Sequence, residues 1–214
     1  MHTIFENIKD NLCYAPIPKN ASVWGNKIFG EYLNFQKNEY VSEKNLNKKF
    51  IVFLRDPLDR WLSGITQFLW QVQYDDKIDY FTQVSNFKLD PLHLALIFNN
   101  VEFDNHSMSQ VSFLNEFLPA IDSHHKLIYF YVNDVNFSKQ VAHFLFNNYR
   151  ISIPTTKIHL TTENVWKTKI RNQIKLELHN NKKYLKFVLK CLQKDYELIS
   201  KCKFYITYNK SSVL

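Results

Sequence analysis

The sequence predicts an α/β protein, rich in helix, in which a central, mostly parallel sheet is covered by helices. Three observations predict this fold. Short apolar runs typical of buried strands alternate with longer segments whose apolar residues recur at helical spacing. The 214 residues are 45% hydrophobic, which is enough for one substantial core. Only 3 glycines and 6 prolines occur, which disfavours an all-β protein with many tight turns. We therefore expect a single domain over residues 1–214.

The first strand and helix are predicted near the start of the chain. Residues 12–17 form a short apolar run that precedes Pro18, as in a buried strand. A polar loop follows at residues 19–22. From Val23 onwards apolar side chains recur at helical spacing, which predicts a helix.

A second strand and helix follow in the same order. Residues 50–54 are uniformly apolar and predict a core strand that ends at Arg55. Residues 58–72 carry an apolar stripe at helical spacing. Asp56 and Pro57 stand where an N-cap and a first helical residue belong.

Two further segments complete the prediction. Residues 127–132 predict a third strand and residues 136–148 the helix after it. Residues 185–199 predict one long amphipathic helix near the end of the chain. Residues 74–123 read as mostly helical or irregular. No internal repeat or low-complexity tract is present.

The first candidate site is the segment 18–24, Pro-Lys-Asn-Ala-Ser-Val-Trp, between a predicted strand and a predicted helix. A helix N-terminus presents unpaired backbone N–H groups, and these favour phosphate. Lys19 offers a positive charge and Ser22 a hydroxyl. The G-x-x-x-x-G-K-[ST] pattern of nucleoside-triphosphate loops is absent. A simple turn with a helix cap is the alternative interpretation.

The second candidate site begins at Arg55, at the carboxyl end of a predicted strand, where open α/β sheets bind ligands. Its guanidinium can hold a phosphate in a fork, and Ser63 offers a hydroxyl eight residues later. A helical projection puts Ser63, Arg60 and Gln67 opposite the apolar stripe. This polar side faces either a ligand or water.

Charge and cysteine content restrict the class of partner. The net charge of +7 favours an anionic partner, although a solvated helix face also explains the lysines at 182, 183, 186 and 190. The 3 cysteines form no Cys-x-x-Cys pair, so neither a disulfide framework nor a metal site is indicated. The sequence shows no signal peptide and no apolar stretch of about 20 residues, so we expect a cytoplasmic location without a membrane span.

The two candidate sites together resemble the two nucleotide-binding elements of the sulfotransferase superfamily, which uses 3′-phosphoadenosine 5′-phosphosulfate (PAPS). Residues 17–24 are similar to its 5′-phosphosulfate loop, and residues 53–64 (Phe-Leu-Arg-Asp-Pro-Leu-Asp-Arg-Trp-Leu-Ser-Gly) to its 3′-phosphate element. Val23 and Trp24 depart from the family, whose members commonly continue with Ser or Thr. The resemblance implies a P-loop-like, three-layer α/β/α fold.

A third segment points to the carbohydrate branch of the superfamily. Residues 104–110 look like its His-x-x-x-Gln segment, with His106 and Gln110 in the two named positions. Residues 194–199 are similar to its C-terminal helix. The resemblance implies a hydroxyl acceptor, favoured to be a glycan, with a small alcohol or a protein tyrosine left open.

The resemblance also implies a role for each residue. Lys19 stabilises the leaving phosphate oxygen, Arg55 and Ser63 bind the 3′-phosphate, and no metal is needed. His106 is the expected general base because imidazole accepts protons near neutral pH, with Glu102 in reserve. The expected residues at the 5′-phosphate are Pro18, Lys19, Asn20, Ala21, Ser22, Val23 and Trp24. Arg60 and Gln110 are further candidates at the substrate.

Three other functions stay open. A kinase-like phosphotransferase would have a similar fold, but it needs a glycine-rich loop and an acidic Mg²⁺ ligand, which are not evident. A nucleic-acid or polyanion binder would combine the basic charge with Tyr184, Tyr205 and Tyr208, although we expect no nucleic-acid partner. An inactive relative of the sulfotransferases is the third. The oligomeric state is not predicted.

Overall fold

The computed structural model describes residues 3–39, 47–73, 94, 97–98, 106–117, 126–155 and 165–206. The chain divides into two compact units. Unit 1 comprises Met1–Arg55, Leu114–Leu160 and Lys201–Leu214, and unit 2 comprises Asp56–Phe113 and Thr161–Ser200. The single domain expected for residues 1–214 stays a prediction.

Unit 1 contains a mixed sheet of five strands in the order β3-β1-β2-β4-β5. The protein is therefore a mixed α/β protein, as expected in outline. Strands β2, β4 and β5 pair in parallel, whereas β1 pairs antiparallel with both β2 and β3. The strands are β1 (Ile4–Asn7), β2 (Leu12–Ala15), β3 (Gln36–Asn38), β4 (Lys49–Leu54) and β5 (Leu127–Tyr131).

The central strand β4 shows why the parallel half is buried. Its five residues from Phe50 to Leu54 are fully buried, as is typical of a strand covered on both faces. Cys13 of β2 lies opposite Phe50, which in turn lies opposite Leu127 of β5. This parallel pairing brings the carboxyl ends of β2, β4 and β5 to the same edge of the sheet.

The helical segment after β2 changes its hydrogen-bond pattern. It begins as α1 (Ser22–Gly25) and continues as a π-helical segment, Asn26–Tyr32. Its last turn closes with the Leu33 N–H donating to the Ile28 carbonyl at 2.8 Å, the i−5 bond of a π-helix. Ile28 is fully buried, as the apolar spacing predicts.

An aromatic cluster fills the core of unit 1. Tyr14 is fully buried, and its ring stacks on Phe29 at 4.5 Å and packs on Phe53 at 4.9 Å. Gly25 makes room for this ring, because a Cβ atom at Gly25 would lie 2.1 Å from the Tyr14 hydroxyl oxygen. The helix α4 (Phe137–Tyr149) adds Phe144 and its neighbours to the same core.

Unit 2 is helical within its described residues. Trp61 and Ile65 of α2 (Pro57–Gln73) and Ile170 of α5 (Val165–Asn180) are fully buried members of its core. The remaining helices are α3 (Gln110–Phe117), which begins in unit 2, α6 (Lys182–Cys191) and α7 (Gln193–Lys201). Among the helices that the structure describes, none combines the length and apolar character needed to cross a membrane.

Candidate functional site

The loop between β2 and α1 is held in an unusual backbone conformation. Lys19 and Ala21 have φ angles of 67° and 55°, in the left-handed region. Residues other than glycine pay on the order of 1–3 kcal/mol for such conformations, which persist only where the surrounding structure fixes them. Chains that alternate between right- and left-handed residues orient successive N–H groups towards an anion. The loop is therefore shaped locally rather than set by glycine.

Asn20 attaches this loop to the neighbouring strand. Its side chain is fully buried, and the Nδ2 amide donates to the carbonyl of Phe53 at 2.8 Å. Its backbone N–H donates to the carbonyl of Ile17 at 3.1 Å. Because Phe53 belongs to β4, the loop after β2 is anchored at the carboxyl end of β4.

Arg55 joins the two candidate sites. It follows β4 directly and is half-buried, and its Nη1 donates to the backbone carbonyl of Lys19 at 3.1 Å. The two segments that carry these residues are 36 positions apart in the chain. The expected neighbourhood of Lys19 and Arg55 is thus present in unit 1.

The first turn of α1 divides its side chains between surface and core. Pro18 and Ser22 are half-buried, and Val23 is 59% exposed. Trp24 is only 7% exposed and packs on the rings of Phe53 and Phe137 at 5.7 and 5.3 Å. Trp24 therefore offers an anion its backbone N–H alone, while its side chain anchors the helix.

The start of α2, in unit 2, matches its predicted cap. The N–H of Asp59 donates to Oδ1 of Asp56 at 2.9 Å, and Pro57 is the first helical residue. This bond confirms Asp56 as the N-cap. Ser63, one and a half turns further on, is half-buried.

The segment that contains His106 lies directly on α2. A Cβ atom added to Gly64 would be 2.1 Å from the carbonyl oxygen of His106 and 3.0 Å from the Cα atom of Ser107. Only glycine permits this approach of two backbones. Unit 2 therefore brings the His106 segment next to the turn of α2 that carries Ser63, and His106 itself is half-buried.

Arg60 is not on a solvent-facing side of α2, which differs from the projection. It is 1% exposed and donates from Nη1 to the carbonyl of Met108. Asp195 of α7, also 1% exposed, accepts from the N–H groups of Gln110 and Val111 at 2.8 and 2.9 Å. Arg60, Met108, Gln110, Val111 and Asp195 therefore form a buried polar cluster that holds the start of α3.

Burial governs the electrostatics of this cluster. It raises the pKa of Asp195, while the N–H groups of Gln110 and Val111 and the charge of Arg60 act in the opposite direction. Gln110 is fully buried and its side chain also bonds to Asp195. Arg60 and Gln110 thus position the backbone near His106.

Sequence reasoning missed Asp195, although a signal was present. Leu192, Asp195 and Tyr196 fall on one face of the predicted helix, so an acidic residue stands within an apolar stripe. Such a residue is buried and needs a partner. The reserve base Glu102 lies outside the described residues.

An open groove of about 690 Å³ lies elsewhere in unit 1, between β1, β3 and the π-helical segment. Its lining includes Phe5, Gly30, Glu31, Phe35 and Lys37, and none of the predicted site residues. Glu31 and Lys37 bring opposite charges, which do not select an anion. We therefore place the candidate anion site at Lys19 and Arg55.

Metal chemistry and known proteins add little to this picture. Within the described ranges, no group of three or more His, Cys, Asp or Glu side chains is arranged to hold a metal ion. Searches of family models, curated proteins and solved structures find no match to this chain. Function must therefore be argued from the motifs and from the geometry of the site.

Proposed function

We propose that this protein is a sulfotransferase of the carbohydrate branch that moves a sulfuryl group from PAPS to a hydroxyl acceptor, most favourably a glycan. The hydrogen bond from Arg55 Nη1 to the Lys19 carbonyl, at 3.1 Å, carries the proposal. It joins the two segments that resemble the nucleotide-binding elements. A P-loop-like, three-layer fold belongs to the same proposal, supported by parallel strands β2, β4 and β5.

The donors in unit 1 fit an anionic nucleotide. Arg55 offers a planar fork that suits a phosphate, and Lys19 offers a compact positive charge. The left-handed residues Lys19 and Ala21 shape the backbone of the loop between them. When bound, PAPS supplies a sulfuryl group attached to a phosphate leaving group. Arg55 then holds the 3′-phosphate, and Ser63 keeps the role of hydroxyl donor that its motif implies.

The chain's residues stabilise charge and move one proton. His106 accepts the proton that the acceptor hydroxyl releases as its oxygen bonds to sulfur. Lys19 neutralises the negative charge that collects on the phosphate oxygen as its bond to sulfur breaks. The N–H groups of residues 20–24 and the Ser22 hydroxyl hold the 5′-phosphate. The products are a sulfate ester, adenosine 3′,5′-bisphosphate and the proton on His106.

Calorimetry with three nucleotides tests the binding half of this proposal. The protein should bind adenosine 3′,5′-bisphosphate about tenfold or more tighter than AMP or ATP, which is at least about 1.4 kcal/mol. Arg55→Ala should abolish this preference, and Lys37→Ala, at an exposed lysine of β3, should retain it. Equal affinity for AMP and the bisphosphate in the unchanged protein would refute the assignment of Arg55.

Transfer assays test the catalytic half. Lys19→Ala should abolish transfer without unfolding the protein, and wild-type activity would refute its role. His106→Ala should lower turnover by roughly 10²–10⁴-fold with the affinity for the bisphosphate unchanged. Unchanged turnover would place the base at another residue. Selective binding without transfer by the unchanged protein would identify an inactive relative.

A further inference from the structure

The outer side of α6 carries an unbroken positive charge. Four of its ten residues are lysines and none is acidic. All four are exposed, and no acidic side chain in the described part of the chain pairs with them. We call this surface the α6 basic face; its members are Lys182, Lys183, Lys186 and Lys190. Like charges at this spacing repel one another in the absence of a counter-charge.

The spacing of these lysines suits a polymer. Lys182, Lys186 and Lys190 follow one another at four-residue intervals, so they share one side of the helix. A rise of about 1.5 Å per residue separates neighbours by about 6 Å and spreads the row over about 12 Å. A single small anion cannot contact the whole row. A chain with repeated anionic groups can.

The apolar side of α6 is already occupied. Val188 is fully buried, and Tyr184 and Leu185 pack against the core of unit 2. The flanking side chains of Phe187 and Leu189 are 37% and 38% exposed. A helix that lies in a membrane surface needs a free apolar side to insert, and α6 uses that side for the core. Its free side recognises charge.

The aromatic ring of α6 is likewise engaged. Tyr184 stacks face to face on Phe98, with ring centroids 4.0 Å apart and planes 5° apart. Proteins that bind single-stranded nucleic acid offer exposed aromatic faces on which bases stack. Tyr184 is half-buried and offers no such platform. These observations favour an anionic polymer without bases.

We infer that the α6 basic face docks an anionic polysaccharide, one that carries repeated carboxylate or sulfate groups. The inference rests on the proposed function and narrows its acceptor class to an acidic glycan. The lysines contact anions along the chain and hold the glycan while one hydroxyl reacts. Because the contacts are exposed ion pairs, their strength falls as ionic strength rises.

Binding of heparin at low ionic strength tests this inference. The variant Lys182→Glu, Lys186→Glu, Lys190→Glu should bind heparin roughly tenfold or more weakly than the unchanged protein. The matched control Lys9→Glu, Lys37→Glu, Lys139→Glu reverses three exposed lysines of unit 1 and should bind as the unchanged protein does. Equal losses in the two variants, or no loss in the α6 variant, would overturn the inference.

Two further measurements separate the possible causes. The α6 variant should retain its helical circular dichroism and its affinity for adenosine 3′,5′-bisphosphate, so failure of the docking surface is distinguishable from failure of the nucleotide site. An oligothymidylate and phosphatidylserine vesicles serve as the other polyanions. If either binds as tightly as heparin and loses affinity in the α6 variant, the surface is not specific to a polysaccharide and the inference is wrong.

Discussion

Truncating Asp195 should destabilise unit 2 more than any exposed charge does. The Asp195 carboxylate accepts from the N–H groups of Gln110 and Val111 at 2.8 and 2.9 Å and faces the charge of Arg60. Both charged residues are 1% exposed, so water does not replace a lost contact. Asp195→Ala leaves two N–H groups and a guanidinium buried without this carboxylate.

The magnitude follows from these contacts. A buried N–H group that loses its acceptor costs about 1–3 kcal/mol, and removing one partner of a buried ion pair costs about 3–5 kcal/mol. The two effects overlap because one carboxylate serves both, so we expect a loss of about 3–5 kcal/mol in the free energy of unfolding. For a chain of this length, about 2–4 °C per kcal/mol lowers Tm by about 6–20 °C.

Urea unfolding followed by circular dichroism measures this loss. Asp195→Asn retains one carbonyl acceptor and should lose less, about 1–3 kcal/mol. Asp59→Ala is the matched control, because the Asp59–Arg171 ion pair in the same unit is about one third exposed and such pairs contribute at most about 1 kcal/mol. If Asp195→Ala costs no more than Asp59→Ala, the buried cluster does not hold the start of α3.

Two other predictions concern unit 1. Gly25→Ala should cost about 1–3 kcal/mol in urea unfolding, because the new Cβ atom meets the Tyr14 hydroxyl at 2.1 Å; an unchanged midpoint would contradict this packing. Burial raises the pKa of Cys13 to about 12, so alkylation at pH 8 should modify the exposed Cys191 and leave Cys13 until the protein unfolds. Because the folded-state pKa is the higher one, stability should also fall, by up to about 1.4 kcal/mol per pH unit, as pH rises from about 8.5 towards 12, and Cys13→Ala should remove this slope.

The parallel strands were predictable because burial on both faces leaves a direct mark on the sequence. β4 was expected at residues 50–54 and spans Lys49–Leu54. β1 was not predicted, and its residue Glu6 shows why. Glu6 is only 8% exposed and pairs with the buried Lys48, so two charges stand where a pattern of apolar residues would have revealed a strand.

The C-terminal helices show a different limit. One helix was predicted over residues 185–199, but the structure has α6 and α7, which separate at Leu192. Leu192 is buried, and the N–H of Asp195 donates to its carbonyl at 3.0 Å, a bond that spans only three residues. Because apolar spacing continues across this break and neither glycine nor proline marks it, periodicity alone cannot locate it.

The candidate site was predictable to the extent that topology determines it. The carboxyl ends of adjacent parallel strands meet at one edge, so the approach of Lys19 and Arg55 followed from two strands and their order. The anchoring amide of Asn20 did not follow, because a polar residue in a loop gives no sign of which carbonyl it will reach. Such contacts depend on the packing of side chains distant in sequence.

The first turn of α1 permits a change that should increase affinity. Val23 stands where members of the resembling family commonly have Ser or Thr, and it is 59% exposed. Val23→Ser should change stability by no more than about 0.5 kcal/mol because no core contact is lost. A new hydroxyl donor to the 5′-phosphate should contribute about 1 kcal/mol after solvent competition, which is about fivefold in affinity.

The choice of nucleotide makes this prediction specific. Adenosine 3′,5′-bisphosphate and AMP should both gain affinity for Val23→Ser in calorimetry, because both carry the 5′-phosphate, whereas adenosine 3′-monophosphate should not. Val135→Ser, at an exposed valine between β5 and α4, should leave all three affinities unchanged. A gain for the 3′-monophosphate alone, or no gain for any nucleotide, would mean that the first turn of α1 does not face the 5′-phosphate, and the roles of Lys19 and Ser22 would fail with it.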